Sequence, residues 1–404
     1  MESEWVETTL GDVLTLQRGF DLPETDRRAG RYPVIASTGP VGTHDEAMVR
    51  GPGVVIGRSG SLGGGQFIGS DFWPLNTTLW VKDFKGNDRR FCYYLLKSLD
   101  LAHFNAGSGV PTLNRNHIHP LPVTVPTSSD EQRAIAHILG TLDDKIELNR
   151  RMSETLEAMA RGLFKSWFAD FDPVRDKAEG RDPCLPKPLA DLFPARLVDS
   201  ELGEIPEGWE VKSLDDIARF LNGLALQKYP PVGDRSLPVV KIAQLRAGNT
   251  IGADRASADL DADYVVADGD ILFSWSGSLE CVLWAGGKGA LNQHLFKVTS
   301  ATYPRWLCYF GVHAHLEDFR HIAAGKATTM GHIQRHHLSD AKLAIPPAQL
   351  MGAMNKQLDT MVESLWKREV ESRTLAALRD ALLPKLMSGV LLVRNAERFI
   401  ERAV

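Results

Sequence analysis

Apolar residues recur at alternating steps of three and four in two long stretches of the chain. In the first, Ile135, Ile138, Leu142, Asn149, Met152, Leu156, Met159 and Leu163 fall on one row, interrupted only by Lys145. In the second, Met354, Leu358, Met361, Leu365, Leu375, Leu378, Leu382 and Leu386 do the same, with Arg368 and Ser372 polar in the middle. Heptad spacing of this kind predicts two long helices with coiled-coil seams, Asn149 being the buried polar position in the first. Each pattern covers about 35 residues, on the order of 50 Å at 1.5 Å per residue. The run TSSDEQ at 127–132 supplies hydroxyl and carboxylate caps followed by Glu and Gln, a start signal for the first helix. Ahead of it the pattern shortens. Residues 53–57, 66–68 and 77–81 read as short strands punctuated by glycine, and 90–97 as a helix, which together predict a loop-rich mixed domain.

The chain also repeats itself, and a long period decides the architecture. Trp5, Leu10, Asp12 and Gly19 recur as Trp209, Leu214, Asp216 and Gly223, each displaced by 204 positions. The apolar run before Ser59-Gly60-Ser61-Leu62 recurs before Ser276-Gly277-Ser278-Leu279 at a displacement of 217, so a loop insertion separates the two landmarks. Further matches keep the order: Asn76 and Leu79 with Asn292 and Leu295, Tyr94 with Tyr309, and Arg115, His117, Ile118, Val123 and Pro126 with Arg335, His337, Leu338, Leu343 and Pro346. The predicted fold is therefore α+β: two mixed α/β domains in tandem, each followed by a long helix. The two helices could each bind a foreign partner, but two equivalent units favour a mutual antiparallel pair with pseudo-twofold symmetry. The boundaries expected are 1–129 and 205–347 for the domains, 130–168 and 348–389 for the helices, 169–204 for a Pro-rich and charged linker, and 390–404 for a tail.

Length and composition are compatible with this division. At 404 residues, with 43% hydrophobic and 24% charged residues, the chain is long enough for two or three globular cores. The four cysteines, Cys92, Cys184, Cys281 and Cys308, have no framework spacing, and no run of about 18 apolar residues occurs, so a cytoplasmic protein without disulfides or a membrane span is expected. The polar, acidic start does not resemble a signal peptide. The formal charge of −5 offers no hint of a basic nucleic-acid binder.

The wording of the chain points the other way. YPVIASTGPVGTHDE at 32–46, GVVIGRSGSLG at 53–63 and DFWPLNTTLWV at 71–81 resemble the specificity subunit of type I restriction-modification enzymes. So do EQRAIAHILGTLDDKIELNRR from Glu131, LFKSWFADFDPVRDKAEGR from Leu163, DSELGEIPEGWEV at 199–211 and LRDALLPKLMSG at 378–389, which extends the likeness over essentially the whole chain. The resemblance implies two target-recognition domains, each reading one half of a split double-stranded DNA site, held apart by the helices. It also implies a non-catalytic chain that docks two adenine-methyltransferase subunits and, through them, helicase-nuclease restriction subunits. S-adenosylmethionine, ATP and Mg would then be bound by those partners and no cofactor by this chain.

The residues independently offer little catalytic chemistry. No GxxxxGK[ST] phosphate loop occurs, and Gly286-Gly287-Lys288-Gly289 has the wrong spacing. Asp172-Pro173-Val174 and Asp182-Pro183-Cys184 lack the second proline of an adenine-methyltransferase motif, and the lone Glu-x-Lys, Glu210-Val211-Lys212, is a poor nuclease signature. His332, His336 and His337, or His313 and His315, lack companion ligands for a metal site. For base reading, Arg forks, amides and small hydroxyls on loops are the required chemistry. The candidates are Arg58, Ser59 and Ser61 with their second-half counterparts Trp275, Ser276 and Ser278; Ser108, Asn114, Arg115 and Asn116; and Lys326, Gln334 and Arg335. Gln17, Arg18, Gln227 and Lys228 are weaker candidates. A tight turn or a solvated loop is the competing explanation for each group. Residues 1–129 carry 12 basic against 13 acidic side chains and 205–347 carry 14 against 15, so neither domain is basic overall. Weak, salt-sensitive DNA binding by the isolated chain follows, because phosphate neutralisation supplies much of the affinity.

Overall fold

The computed structural model describes residues 4–107, 109–325, 331–393 and 396. It divides into two compact units, residues 1–146 with 374–404 and residues 147–373. Both dividing points lie inside 40-residue helices, Ser129–Phe168 and Ala348–Met387, so each unit contains one mixed domain and about half of each helix. Ser108, Lys326 and residues 394, 395 and 397–404 of the tail lie outside the described residues.

In the first unit the ribbon Trp5–Thr9 pairs antiparallel with Pro122–Pro126, bringing the two ends of the domain together. Thr9 then starts a single helical turn: its hydroxyl accepts from Asp12 N, and the Asp12 carboxylate accepts from Thr9 N, a reciprocal cap that satisfies two otherwise orphaned donors. A four-stranded sheet follows in the order Thr15–Arg18, Thr78–Asp83, Gly53–Gly57, Gly63–Ile68. A smaller sheet pairs Tyr32–Ala36 with Gly39–His44 and, in parallel, with Trp73–Pro74. Helix Arg89–Ser98 buries Phe91 through Leu96 against the core, its first turn capped by Asp88.

The second unit rebuilds the same plan from different residues. Glu210–Ser213 pairs with Lys342–Ile345, Ser213 and Asp216 repeat the reciprocal cap, and the main sheet runs Arg219–Asn222, Leu295–Thr299, Ile271–Ser274, Cys281–Leu283. The insertion inferred from the displacements lies between Ser236–Val240 and Val265–Val266, where helix Ile242–Ala247 has no counterpart in the first unit; Val265–Val266 itself matches Val49, which bridges Phe72 antiparallel. Strand register corrects one landmark by a single residue. Arg18 pairs with Leu79 and Asn222 with Phe296, so Leu79 corresponds to Phe296 and Asn76 to Gln293, not to Leu295 and Asn292. The glycine landmark is steric: a Cβ on Gly19 would strike the backbone oxygen of Leu75, and one on Gly223 that of Asn292.

Within the units the helices run antiparallel. In the first unit Ile135, Ile138, Leu142, Leu375, Leu382 and Leu386 share one core, and Asp143 pairs with Arg379 at 2.6 Å. In the second, Asn149 is 1% exposed; its amide donates to Glu371 at 2.8 Å and accepts from Arg368 at 3.4 Å. Leu358 and Leu365 are buried there, while Leu156, Leu163 and Met361 are partly so. The first seam differs from the row expected. Met152 and Met159 are 37% and 51% exposed, whereas Ala160 is fully buried and the Ser153 hydroxyl is shielded. Both rows close a heptad from Asn149 to Leu156. The expected row continues through Lys145; the observed one runs through Leu139, Ile146, Ser153, Ala160 and Trp167 and carries no charge.

The stretch expected to be a connector is packed. Its helices Asp172–Ala178 and Lys187–Ala190 lead Phe171, Val174, Leu189 and Phe193 into the core of the second unit. Trp209 sits among them, its ring centroid 5.5 Å from Phe168, 5.8 Å from Phe171 and 6.5 Å from Phe193.

Candidate nucleic-acid interface

In the first unit, the end of strand Gly53–Gly57 and the segment before the turn Arg115–Ile118 are laced together. Leu113 N donates to Arg58 O at 2.8 Å, Ser59 bridges Thr112, and Gly60 N donates to Pro111 O at 3.0 Å. The chain reverses at Gly60 with φ +83°, a conformation that favours glycine. Beside this seam lies a cleft of about 920 Å³ lined by Gln17, Arg18, Arg58, Lys82, Asn114 and Arg115, among others. Four cations face it against one carboxylate, Asp21, which lies 3.7 Å from Arg18. A domain without net positive charge thus concentrates positive charge locally, which a count over the whole domain conceals.

The cleft is braced from behind. Arg115 Nη1 donates to Leu16 O at 3.3 Å, and His119 Nε2 accepts from Leu16 N at 3.0 Å, so strand Thr15–Arg18 is gripped at one residue and presents Gln17 and Arg18 on either side. Burial, with Arg115 nearby, holds the His119 imidazole below its ordinary pKa and keeps that nitrogen free to accept. Arg58 is steadied by its own Nη1 donating to Asn76 O at 3.2 Å.

The second unit laces the same positions. Ile333 N donates to Trp275 O at 3.0 Å, Ser276 bridges His332, and Gly277 N donates to Gly331 O at 2.8 Å, with φ +68° at Gly277. Arg335 repeats the brace of Arg115: its Nη2 donates to Phe220 O at 3.1 Å and its guanidinium lies 5.8 Å over the Phe296 ring. The chemistry facing out has changed. Arg18 and Arg58 correspond to Asn222 and Trp275, while Lys82 falls at a bulge without a paired counterpart, the register setting Thr299 against Asp83.

The candidates therefore separate. Gln17, Arg18, Arg58, Asn114 and Arg115 share the first cleft, although the Asn114 side chain also caps its own turn by accepting from Asn116 N at 3.0 Å. Ser59, Ser61 and Asn116 flank it without lining it, and Gln334 is exposed beside Arg335. Ser276 is a correction: it is 3% exposed, its hydroxyl 3.0 Å from His294 Nδ1, so it holds the loop from inside and is not displayed. Ser278 opens on a separate cavity of about 380 Å³ with Leu279, Glu280 and Arg320. Gln227 and Lys228 lie exposed in the short helical turn Leu226–Lys228. Sequence reasoning missed Lys82, which alternation places on the face of Trp80, and Asn222, which the displacement of 204 from Arg18 would have found. Glu210 and Lys212 form an ion pair of 3.0 Å on the surface ribbon. Among the described residues no group of three or more His, Cys, Asp or Glu is placed to hold a metal ion, and no helix is long and apolar enough to cross a membrane.

Two copies of one domain, each carrying a polar cleft or loop pair beside the same glycine turn, define a tandem recognition protein. The family description "Type I restriction modification DNA specificity domain" matches the chain twice, over residues 2–158 and 206–365. The chain belongs to that family: it recognises DNA sequence as a specificity subunit and is a non-catalytic component. It is 26% identical over 346 residues to the type I restriction enzyme MjaIX specificity subunit of Methanocaldococcus jannaschii, covering 80% of this chain and 74% of that one. It is 25% identical to the HindI specificity subunit of Haemophilus influenzae, over 96% and 99% of the two chains. The crystal structure of the S subunit of a type I system from M. genitalium shares the fold, with a TM-score of 0.61 at 15% identity over 95% of this chain and 96% of that one.

Proposed function

We propose that each domain reads one half of an asymmetric, two-part DNA site, and that the two helices set the number of unspecified base pairs between the halves. The observation that carries this is duplication without duplicated chemistry: one plan of strands and lacing, with Arg18 and Arg58 in one copy where the other has Asn222 and Trp275. Different linings select different bases, so the halves of the site differ. Forty residues of helix give on the order of 60 Å, enough for half-sites about one helical turn, ~34 Å, apart when the domains overlap the helix ends. The domains are taken as 1–129 and 205–347. Two adenine-methyltransferase subunits and, through them, restriction subunits would dock on this chain, bringing S-adenosylmethionine, ATP and Mg and doing the methylation and cleavage. Leu148, Met152 and Met159, apolar and exposed along the first helix, support such docking.

Lys82 is assigned to a phosphate and Arg58 to a base edge. Lys82→Gln is then expected to weaken binding evenly across sequences and to lower the slope of log affinity against log salt by about one. Arg58→Gln is expected to relax one position of the first half-site. A salt titration of the chain assembled with its methyltransferase checks both; an unchanged slope for Lys82→Gln would remove it from the DNA path.

A further inference from the structure

Asn222 ends the edge strand of the second main sheet and is exposed. Its Oδ1 lies 2.9 Å from Trp275 Nε1, and that nitrogen also points at Gln293 O, 3.1 Å away. An indole N–H can only donate, so the atom of Asn222 that meets it must be the amide oxygen. In this contact the oxygen end of the amide, and not its nitrogen end, faces the indole. Trp275 is itself held on several sides, with His294, Phe296 and His332 rings 5.8, 6.1 and 6.2 Å from its own. Among the described residues nothing accepts from Asn222 Nδ2, which leaves two N–H donors turned outward beside the loop pair.

We propose that Asn222 is a specificity-determining residue of the second domain that reads guanine, and that Trp275 is its positioning residue. A free Asn amide pairs bidentately with adenine, accepting from N6 and donating to N7. With its oxygen end turned toward Trp275, Asn222 presents its Nδ2 donors as the group facing outward. Guanine is the base whose major-groove edge presents two adjacent acceptors, O6 and N7. The corresponding residue in the first domain, Arg18, also presents only donors, so the position keeps its polarity while exchanging a cation for a neutral group. This inference rests on the second domain reading DNA through the face beside Trp275.

The test uses the full chain assembled with its methyltransferase subunits and a DNA library randomised across the second half-site, with the bound fraction sequenced. Asn222→Ala should lower discrimination for guanine at one position on the order of tenfold and leave the first half-site as it was. Trp275→Phe keeps the ring but removes the donor. It should let the amide turn, so that adenine joins guanine at that same position, a change that mere loosening of the fold would not produce. Asn222→Asp should reject guanine there. The unchanged first half-site serves as the control for folding. If Asn222→Ala leaves every position of the second half-site intact while Arg335→Ala or Gln334→Ala relaxes it, the assignment of Asn222 is overturned and the domain's role stands. If none of these variants alters the second half-site, the reading of the domain falls with it.

Discussion

Inserting one heptad into each long helix, between Ile146 and Glu147 in the first and between Arg373 and Thr374 in the second, is expected to lengthen the unspecified gap of the DNA site without changing either half-site. These points coincide with the divisions between the two units, so the contacts inside each unit, Asp143 with Arg379 and Asn149 with Glu371, are left as they are. Seven residues add on the order of 10 Å of helix, which is up to about three base pairs of duplex. They also preserve the alternation of three and four along both seams, whereas an insertion of four would act as a stutter and unwind the pair locally. Methylome sequencing of cells carrying the lengthened subunit with its partners reads the gap directly. A gap of unchanged length would show that something other than these helices sets the spacing.

The second large effect concerns the stretch between the first helix and the second domain. Trp209→Ala is expected to destabilise the second unit by about 3–5 kcal/mol, the usual range for removing a large buried aromatic. Trp209 is 6% exposed and fills the space between Phe168 at the end of the first helix, Phe171 and Phe193 of the connecting stretch, and the domain that follows. No small set of neighbours can close that void, because the three rings come from the end of the first helix and from two separate points of the connecting stretch. Urea unfolding followed by limited proteolysis should show the second unit opening early while the first resists. A loss below about 1.5 kcal/mol would mean that the connecting stretch is not anchored through this residue.

The duplication was open to reading because its landmarks are physically constrained. Gly19 and Gly223 face a backbone oxygen, Gly60 and Gly277 need positive φ, and Thr9 and Ser213 cap the same turn. Such positions resist substitution while the side chains between them are free to differ. What escaped was whatever depends on choosing between neighbours. Leu79 and Leu295 look equivalent as letters, but strand pairing equates Leu79 with Phe296; a slip of one residue turns every side chain to the opposite face. Met152 and Met159 are the more hydrophobic choice for the seam, but the row they define contains Lys145, and the helices instead close on Ser153 and Ala160. Proline and charge made residues 169–204 resemble a bare linker, although Phe171, Val174, Leu189 and Phe193 were sufficient to bury it.

At the candidate interface, residue type found Arg58, Asn114 and Arg115 but not their division of labour. Arg115 and Arg335 each spend one nitrogen on a strand carbonyl, and Ser276 turns inward to His294. Hydrogen bonds across 99 to 115 positions of sequence decide those roles, and no local pattern carries them. The charge of −5 misled for a related reason: the four cations of the first cleft come from two strands, the residue after a third and the turn at Arg115, and are gathered only by the fold.

The proposal that two unlike readers on one chain recognise a split site is checked by mapping N6-methyladenine across the genome of a host that carries this chain with its methyltransferase and no other modification system. The expected result is a single asymmetric motif of two short specified parts separated by a fixed run of unspecified base pairs. A contiguous motif, or a palindromic one in which both parts are the same, would contradict it.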